Sequence, residues 1–336
     1  MRNYIKKMSQ IMPREFIFCD VGARWGIEGA WKSFCKLIKS VSFEPDKNEY
    51  KLLCNKKKAN DVVYQYALYK EKKKVSLNLT KSRGCSSIYK PNDEFVRLYP
   101  EHERFEIDQK VDVEATSLDI LHKEKQLNDL DFIKIDVQGA ELDVLAGGEA
   151  FLSENILGIE VEVEFHQIYE NQPLFSDIDK NIREKIGLQL QDIRKTYWKY
   201  PQGINLGSQK GQLIFGDALY FRAPHEILKW CSHFKGYEVK EKILMACMMG
   251  VVYGYLDYSL CILNQPLIND YLDATIVENW KTIIYKYGKS FNCTLKGSGK
   301  IAYIFNLFYR MFQGSYNGWA TGGQHLGSQK KIGIFK

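Results

Sequence analysis

The segment Phe16–Gly26 constrains the fold of this chain more than any other part of the sequence. Its apolar run ends at Asp20 and is followed by a turn that contains Gly22 and Gly26. A helical pattern then begins near Ile27. A buried strand that feeds a glycine loop and then a helix is typical of the first unit of a nucleotide-binding α/β fold.

A second apolar run, beginning at Val41, ends in a carboxylate at Glu44, which follows Gly22 by 22 positions. In nucleotide-binding sheets, a carboxylate at the end of the second strand accepts hydrogen bonds from the ribose hydroxyls. Glu44 is therefore a candidate for binding an adenosine ribose. The alternative for the first loop alone is a plain strand–turn–helix connection with a glycine cap.

Position 24 decides between two classes of nucleotide. A dinucleotide site needs a second glycine there so that the backbone can approach a pyrophosphate, and this chain has Arg24. S-adenosylmethionine has no phosphate, and its ammonium group would be attracted by Asp20, while Gly22 leaves room for the methionine chain. The loop therefore favours S-adenosylmethionine, held by Asp20, Gly22, Gly26 and Glu44. Two further candidates, Ala67 and Leu68, end the third predicted strand, where they would border either the adenine ring or the core.

Composition excludes some classes of protein and leaves others open. The 336 residues include 47 Lys and Arg against 41 Asp and Glu, without a basic stripe interleaved with aromatic residues, so nucleic-acid binding is not expected. Lysine runs such as Lys72–Lys74 indicate solvated surface, with attraction to phosphate-bearing substrates or peripheral contact with an anionic membrane as the alternative. The eight cysteines form no Cys-x-x-Cys pair, which predicts free thiols in a reducing compartment and no zinc site. With no signal peptide pattern and no transmembrane span expected, the predicted location is the cytoplasm.

Apolar runs alternate with amphipathic stretches from residue 14 to about 222, which predicts a doubly wound, mostly parallel α/β sheet of seven strands. The last strand is expected to run antiparallel because no helix precedes it. A further strand-like run, Val75–Leu79, is expected to extend the third strand as a hairpin, and a helix is expected over Ile27–Ile38. The predicted strands are Glu15–Asp20, Val41–Glu44, Val62–Leu68, Phe132–Asp136, Leu157–Phe165, Leu188–Ile193 and Leu213–Phe221.

After Pro224 the chain becomes richer in Met, Trp and Tyr, and its pattern predicts several helices. We therefore expect a domain over residues 14–224, followed by a helical extension of unknown role over 225–336. The apolar segment Ile301–Phe312 is expected to pack on the domain, with a membrane or partner anchor as the alternative.

Several segments together resemble the FkbM family of S-adenosylmethionine-dependent methyltransferases of class I. The resemblance covers residues 14–223 and implies a seven-stranded sheet, S-adenosylmethionine as methyl donor, and methylation of hydroxyl groups on sugars or polyketide-type natural products. The matching segments are Asp20–Gly22, Phe43–Pro45, Asp131–Leu145, Val161–Phe165, Tyr169–Phe175 and Gly211–Tyr220.

The candidate catalytic residues, Asp136, Glu164 and His166, lie at the ends of the fourth and fifth predicted strands. Asp136 either contacts cofactor or acceptor, or caps the helix that follows. Glu164 shares one face of its strand with Glu160 and Glu162, and such a row is suited to binding sugar hydroxyls, acting as base, holding a divalent cation, or pairing with Lys134. His166 is the histidine to test as general base, or a structural residue. Oxygen ligands suit magnesium better than zinc, but the sequence requires no metal.

These patterns predict a methyltransferase that transfers a methyl group from S-adenosylmethionine to a hydroxyl of a sugar, glycan or related small molecule. Two alternatives remain open. The first is a non-catalytic protein that keeps the fold and assists a glycan-modifying enzyme, and the second is a nicotinamide-dependent oxidoreductase, which Arg24 disfavours. The sequence does not define the oligomeric state.

Overall fold

The computed structural model describes residues 2–205, 211–289, 298–312, 318–322 and 326. Its strands are β1 (Phe16–Val21), β2 (Ile38–Phe43), β3 (Val62–Tyr64), β4 (Ala67–Leu68), β5 (Lys73–Thr80), β6 (Ile107–Thr116), β7 (Phe132–Ile135), β8 (Gly158–Glu164), β9 (Gln189–Trp198), β10 (Gln212–Phe221) and β11 (Ala320–Gly322). Its α-helices are α1 (Arg2–Ile11), α2 (Lys47–Lys56), α3 (Asp93–Val96), α4 (Leu118–Lys123), α5 (Glu141–Ala146), α6 (Glu149–Asn155), α7 (Phe175–Asn181), α8 (Ile227–Cys231), α9 (Tyr237–Tyr253), α10 (Leu256–Leu263), α11 (Ala274–Lys289) and α12 (Ser298–Phe312).

The large sheet has eight strands in the order β11-β9-β10-β8-β7-β1-β2-β3. The central strands β3, β2, β1, β7 and β8 run parallel, and β10 runs antiparallel to β8 and β9 as expected. The predicted number of seven strands is wrong by one. The eighth strand, β11, comes from the C-terminal extension and pairs antiparallel with β9 at the sheet edge.

Two local predictions around the third strand are also wrong. Val62–Leu68 divides into β3, in the large sheet, and β4, in a separate three-stranded sheet of order β4-β6-β5. Val75–Leu79 lies within β5, which pairs antiparallel with β6 rather than extending the third strand. The chain therefore leaves the large sheet after β3, forms the small sheet, and continues into α4.

The helix expected over Ile27–Ile38 is a 3-10 helix over Gly29–Leu37. Trp31, Phe34 and Leu37 of this helix are buried in the core. The apolar spacing therefore predicted a helix with a buried face, but not that it is a 3-10 helix. The helical segment after Gly139 is divided into α5 and α6. Gly147 lies at the break, where a Cβ would fall 2.2 Å from the carbonyl oxygen of Tyr69.

One face of the large sheet packs against the C-terminal helices. This first core joins Phe18, Phe132 and Phe221 of the strands with residues such as Met248 of α9 and Trp280 of α11. Their burial is complete or nearly so. Helices of the 225–336 region therefore supply a layer that a doubly wound sheet needs on each face, and the proposed boundary at 224 falls between elements that share a core.

The opposite face of the sheet forms a second core with α4–α7. Strand β8 shows how the period of two divides the two faces, because Ile159, Val161 and Val163 point into this second core. Glu160, Glu162 and Glu164 consequently point to the other face. That face is apolar toward the amino ends of the strands and polar toward their carboxyl ends.

A buried ionic cluster ties α9 to the start of β7. Lys242 Nζ lies 3.0 Å from Asp131 Oδ1 and 2.6 Å from Asp129 Oδ1. Arg14 completes the cluster through its own ion pairs with Asp129 and Asp131. Because Asp131 is fully buried, these two cations supply the charge that its carboxylate requires.

The described side chains of α12 do not pack as expected. Its large apolar side chains are 51–70% exposed, so the prediction that this segment packs on the domain is wrong for Ile301, Tyr303, Ile304, Phe305 and Phe308. The alternative, a membrane or partner anchor, stays a prediction. Within the described residues, no helix combines the length and hydropathy needed to cross a bilayer. The seven cysteines described are free thiols.

Candidate active site

The glycine loop after β1 contacts the ends of both β2 and β7. Gly22 has a φ of +81°, and a Cβ at this position would lie 2.0 Å from the carbonyl oxygen of Asp136. Its amide donates a hydrogen bond of 3.1 Å to Phe43 O at the end of β2. Only glycine satisfies both the backbone conformation and the close approach. The loop therefore fixes the ends of β1, β2 and β7 around one point.

A cleft opens at that point, outside the carboxyl ends of the parallel strands, where doubly wound sheets bind their ligands. Five of the predicted site residues line it: Gly22, Glu44, Ala67, Leu68 and Asp136. The other lining residues come mainly from the glycine loop, the segment after β3, and the loop after β5. They are Val21, Arg24, Trp25, Phe43, Pro45, Tyr66, Leu77, Arg83, Gly84, Ser86, Ile88, Val137, Gln138 and Ala140.

Glu44 reaches the cleft from the end of β2. Its side chain is buried, and its Oε1 accepts a hydrogen bond of 2.9 Å from the backbone amide of Asp46. Burial raises the pKa of the Glu44 carboxyl to about 7, although the amide of Asp46 and the charge of Arg24 oppose this shift. No hydrogen bond to Oε2 is found among the described residues, so this oxygen is available to a ligand hydroxyl.

Two predicted cofactor residues do not line the cleft. Gly26 has a φ of +74° and closes a turn by donating a hydrogen bond of 2.9 Å to Ala23 O. Asp20 is buried below the cleft, beside Lys134 in the pairing of β1 with β7. Burial raises the pKa of Asp20 to about 7, and Lys134 opposes that shift. Direct contact of these two residues with a cofactor therefore stays a prediction.

Asp136 lies in the cleft as an ionised carboxylate. Its Oδ2 is 3.1 Å from Lys134 Nζ, and its Oδ1 accepts a hydrogen bond of 3.0 Å from Gln138 Nε2. Burial alone would raise its pKa, but Lys134 and the hydrogen bonds outweigh burial and hold the pKa of Asp136 below its ordinary value. Asp136 is therefore better suited to accept a hydrogen bond from a substrate than to take a proton permanently.

Gln138 is the cleft residue that sequence reasoning missed. It has a φ of +60°, which is uncommon for a residue with a side chain. Its Nε2 donates to Asp136 and Glu162, and its Oε1 accepts a hydrogen bond of 2.9 Å from Tyr169 Oη. The available signal was its place between Asp136 and Gly139 in the motif, where a turn must present its side chain to the cleft.

Two glutamates of the row on β8 lie beside the start of α5. Glu162 and Glu164 lie close to Glu141, whose carboxylate accepts hydrogen bonds from the backbone amides of Val137 and Gly139. Glu160 is used differently, because its Oε2 accepts a hydrogen bond of 2.6 Å from Tyr253 Oη of α9. Glu164 is 1% exposed and is not part of the cleft lining.

His166 is not brought into the cleft. Its ring stacks on Phe95 with centroids 5.4 Å apart, and its Nε2 lies 2.8 Å from Gln212 Nε2. The role of general base for His166 stays a prediction that these contacts do not favour.

The groups that line the cleft suit an adenosyl ligand. Glu44 contributes a carboxylate, and Tyr66, Ala67 and Leu68 contribute mainly apolar side chains. The tight approach of Gly22 to Asp136 leaves no room for a side chain at position 22. The sequence profile of the methyltransferase FkbM domain matches residues 20–186, which include all of these positions.

This segment belongs to the FkbM methyltransferase family. Methyltransferases of this family use S-adenosylmethionine, which is therefore the cofactor of the FkbM domain. No match among curated proteins was found.

Solved structures of two methyltransferases align with the chain at low similarity. One is TYW2 of M. jannaschii in complex with AdoMet, at 15% identity over 66% of this chain and 75% of that chain, with a TM-score of 0.29. The other is the precorrin-6y C5,15-methyltransferase of Geobacter metallireducens, at 11% identity over 66% and 86%, with a TM-score of 0.28. These scores are too low to support conclusions about this chain.

Proposed function

We propose that the FkbM domain methylates a hydroxyl group of a sugar, glycan or related small molecule. The observation that carries this proposal is the shared cleft, in which the glycine loop, Glu44 and Asp136 meet at the ends of three parallel strands. S-adenosylmethionine supplies the methyl group when it is bound there. The chain must then hold the cofactor, orient an acceptor oxygen and receive a hydrogen bond from it.

The cofactor side of the cleft is formed by the ends of β1, β2 and β4. Glu44 accepts hydrogen bonds from the hydroxyls of the ribose, and the backbone of Gly22 lines the cleft beside the methionine chain. Arg24 turns toward α2, where its Nη1 lies 3.6 Å from Glu49 Oε1. The nicotinamide alternative is disfavoured by position 24 itself, because a dinucleotide site needs a second glycine there for the close approach of a pyrophosphate.

The acceptor side is formed by Asp136, Gln138 and the loop after β5. Asp136 accepts a hydrogen bond from the hydroxyl to be methylated, because its pKa is held low and its carboxylate stays ionised. It takes the proton that this hydroxyl loses as the O–CH₃ bond forms and then releases the proton to water. Gln138 and Lys134 keep that carboxylate in place through their contacts with its two oxygens. Arg83 and Ser86 add polar groups that suit an acceptor with several hydroxyls.

The cofactor half of the proposal is tested by isothermal titration of the full chain with S-adenosylmethionine and S-adenosylhomocysteine. We expect saturable binding that weakens at least about tenfold in Glu44→Ala, because the ribose loses its acceptor. Glu114→Ala is the matched control, since this glutamate is exposed on β6 and outside the cleft. Equal binding by both variants would contradict the assignment of Glu44.

The acceptor half is tested with methyl-labelled cofactor and a panel of sugars, nucleotide sugars and amines, with products identified by mass spectrometry. We expect label on a hydroxyl oxygen, and a loss of turnover of about 100-fold or more in Asp136→Asn with cofactor binding retained. Label on nitrogen would contradict O-methylation. Cofactor binding without turnover of any acceptor would favour the non-catalytic alternative.

A further inference from the structure

Three glutamates beside the cleft form a compact group that the proposed methyl transfer does not use. Glu141 begins α5, and Glu162 and Glu164 lie two residues apart on one face of β8. One carboxylate oxygen from each lies within 4.8 Å of the others. The group borders the cleft through Gln138, which lines the cleft and donates a hydrogen bond to Glu162.

One buried carboxylate oxygen at this group lacks a hydrogen bond of ordinary geometry within the described structure. Glu164 is 1% exposed, and its Oε2 has neither solvent contact nor such a hydrogen bond. The neighbouring donor is Gln172, which is 2% exposed and interacts with Glu164, although its Nε2 also makes no hydrogen bond of ordinary geometry. Buried polar atoms are almost always satisfied by protein, water or an ion, so a carboxylate oxygen left in this state indicates a bound species.

The charge of the group is also uncompensated by the protein. In the described ranges, neither lysine nor arginine forms an ion pair with Glu141, Glu162 or Glu164. The nearby cations are already engaged, Lys134 with Asp136 and Arg194 with Asp217. Three carboxylates this close are accommodated either by protons or by a cation.

We propose that Glu141, Glu162 and Glu164 bind one divalent cation of the type that prefers oxygen ligands, Mg²⁺ or Mn²⁺. The donors are carboxylate oxygens only, with no cysteine or histidine among them, which disfavours zinc and copper. The amides of Val137 and Gly139 hold Glu141 in place, as hydrogen bonds commonly orient metal ligands. The remaining coordination positions are left for water or for groups entering from the side of Gln138.

The competing explanation is that protons occupy the group. Burial and mutual repulsion raise the pKa of Glu164 and Glu162 well above the ordinary value, and burial raises the pKa of Glu141 to about 7. Protonated glutamates would hydrogen-bond to one another and would leave no binding capacity for a metal. The two explanations give opposite results in a direct binding experiment.

The test is a titration of the chelator-treated full chain with MnCl₂ at about pH 7.5, in which the electron paramagnetic resonance signal reports free Mn²⁺. We expect one Mn²⁺ per chain, displaced by MgCl₂. We expect at least tenfold weaker binding in Glu164→Gln and in Glu162→Gln. Glu114→Gln, an exposed glutamate elsewhere, is the matched control and should bind as the unmodified protein does.

Circular dichroism and thermal unfolding establish that the variants are folded, which is expected because glutamine has nearly the same size and shape as glutamate. Absence of saturable Mn²⁺ binding, or binding that both variants retain, would overturn the proposal. The readout needs neither cofactor nor acceptor, so its result is independent of the cofactor titration and of the proposed methyl transfer.

Discussion

At the scale of single residues, Gly22 is the position on which the shape of the cleft depends. In Gly22→Ala, the new methyl group would collide with the backbone of Asp136, and the residue would keep a φ that disfavours side chains. We expect a loss of about 2–4 kcal/mol in the free energy of unfolding, because overpacking and left-handed strain add. Urea denaturation followed by tryptophan fluorescence measures this loss, and titration measures the expected loss of cofactor binding.

Gly29→Ala is the control that separates the two causes. Gly29 has a φ of +61°, but no atom lies within 4 Å of the position that a Cβ would take, so only the backbone strain changes. We expect about 1 kcal/mol for this variant. Equal losses in both variants would show that the contact with Asp136 is unimportant.

The buried carboxyl of Glu44 makes stability depend on pH. Its pKa is raised from 4.5 to about 7 by burial, so the folded state holds this proton more tightly than the unfolded state does. The stabilisation is complete below the unfolded pKa and is lost as the pH rises through about 7. Between about pH 5 and 8, the unfolding free energy of the ligand-free protein should therefore fall less in Glu44→Gln than in the unmodified chain, by about 1–3 kcal/mol.

Denaturation curves at several pH values measure the difference, with the exposed Glu114→Gln as control. Parallel pH profiles for the unmodified chain and Glu44→Gln would contradict the assignment of the raised pKa to Glu44. Asp20 and Glu141 also have pKa values raised to about 7 by burial, so some pH dependence should remain in every variant.

The candidate residues that the structure brings to the cleft are mainly those whose place follows from a strand end. Gly22, Glu44 and Asp136 each end or follow a parallel strand, and such ends meet at one edge of a sheet. His166 also follows a strand, but its orientation is set by Phe95, which is distant in the sequence. Gln138 was missed because its place in the motif indicates a turn but not the φ of +60° that the turn adopts there.

At the scale of elements, α9 is linked to the polar row of the sheet by one side chain. Tyr253 Oη donates to Glu160 Oε2 at 2.6 Å and accepts a hydrogen bond of 3.0 Å from Trp31 Nε1. In Tyr253→Phe, the carboxylate and the indole both lose a buried partner. We expect a loss of about 1–3 kcal/mol in the free energy of unfolding.

Chemical denaturation measures that loss, and Tyr303→Phe on the exposed side of α12 is the matched control. The double variant with Glu160→Gln isolates the pairwise contribution. A coupling energy near zero would show that the link between α9 and β8 is incidental.

The secondary-structure elements predicted best are those in which the spacing of apolar residues along the sequence matches the buried positions. Apart from β11, the strands of the large sheet are apolar runs or carry apolar residues on alternate positions, so their existence followed from the sequence. The separate sheet of β4, β5 and β6 did not, because strand partners depend on tertiary pairing that periodicity does not encode. Strand β11 has three residues and only one apolar neighbour, Trp319, so it offered no recognisable pattern.

At the scale of the whole molecule, the sheet has two chemically different faces, and both are covered by helices. The face with Phe18, Phe132 and Phe221 is covered by helices from the 225–336 region, and the opposite face is covered by α4–α7. The family match ends at residue 186, before the chain reaches the C-terminal helices. The family match therefore includes the residues that line the cleft but not the layer that completes the core.

This shared core predicts how the chain responds to truncation. A fragment of residues 1–224 would expose Phe18, Phe132 and Phe221. It would also lose Lys242, which forms an ion pair with the buried Asp131. Because exposed apolar area of this kind is not tolerated in a stable monomer, we expect aggregation or loss of cooperative thermal unfolding.

A fragment of residues 1–289 keeps α9–α11 and should remain folded, although it loses β11 and α12. Size-exclusion chromatography and calorimetry of the two fragments provide the comparison. A soluble, cooperatively unfolding 1–224 fragment would show instead that the C-terminal helices are an independent unit added to a complete methyltransferase domain.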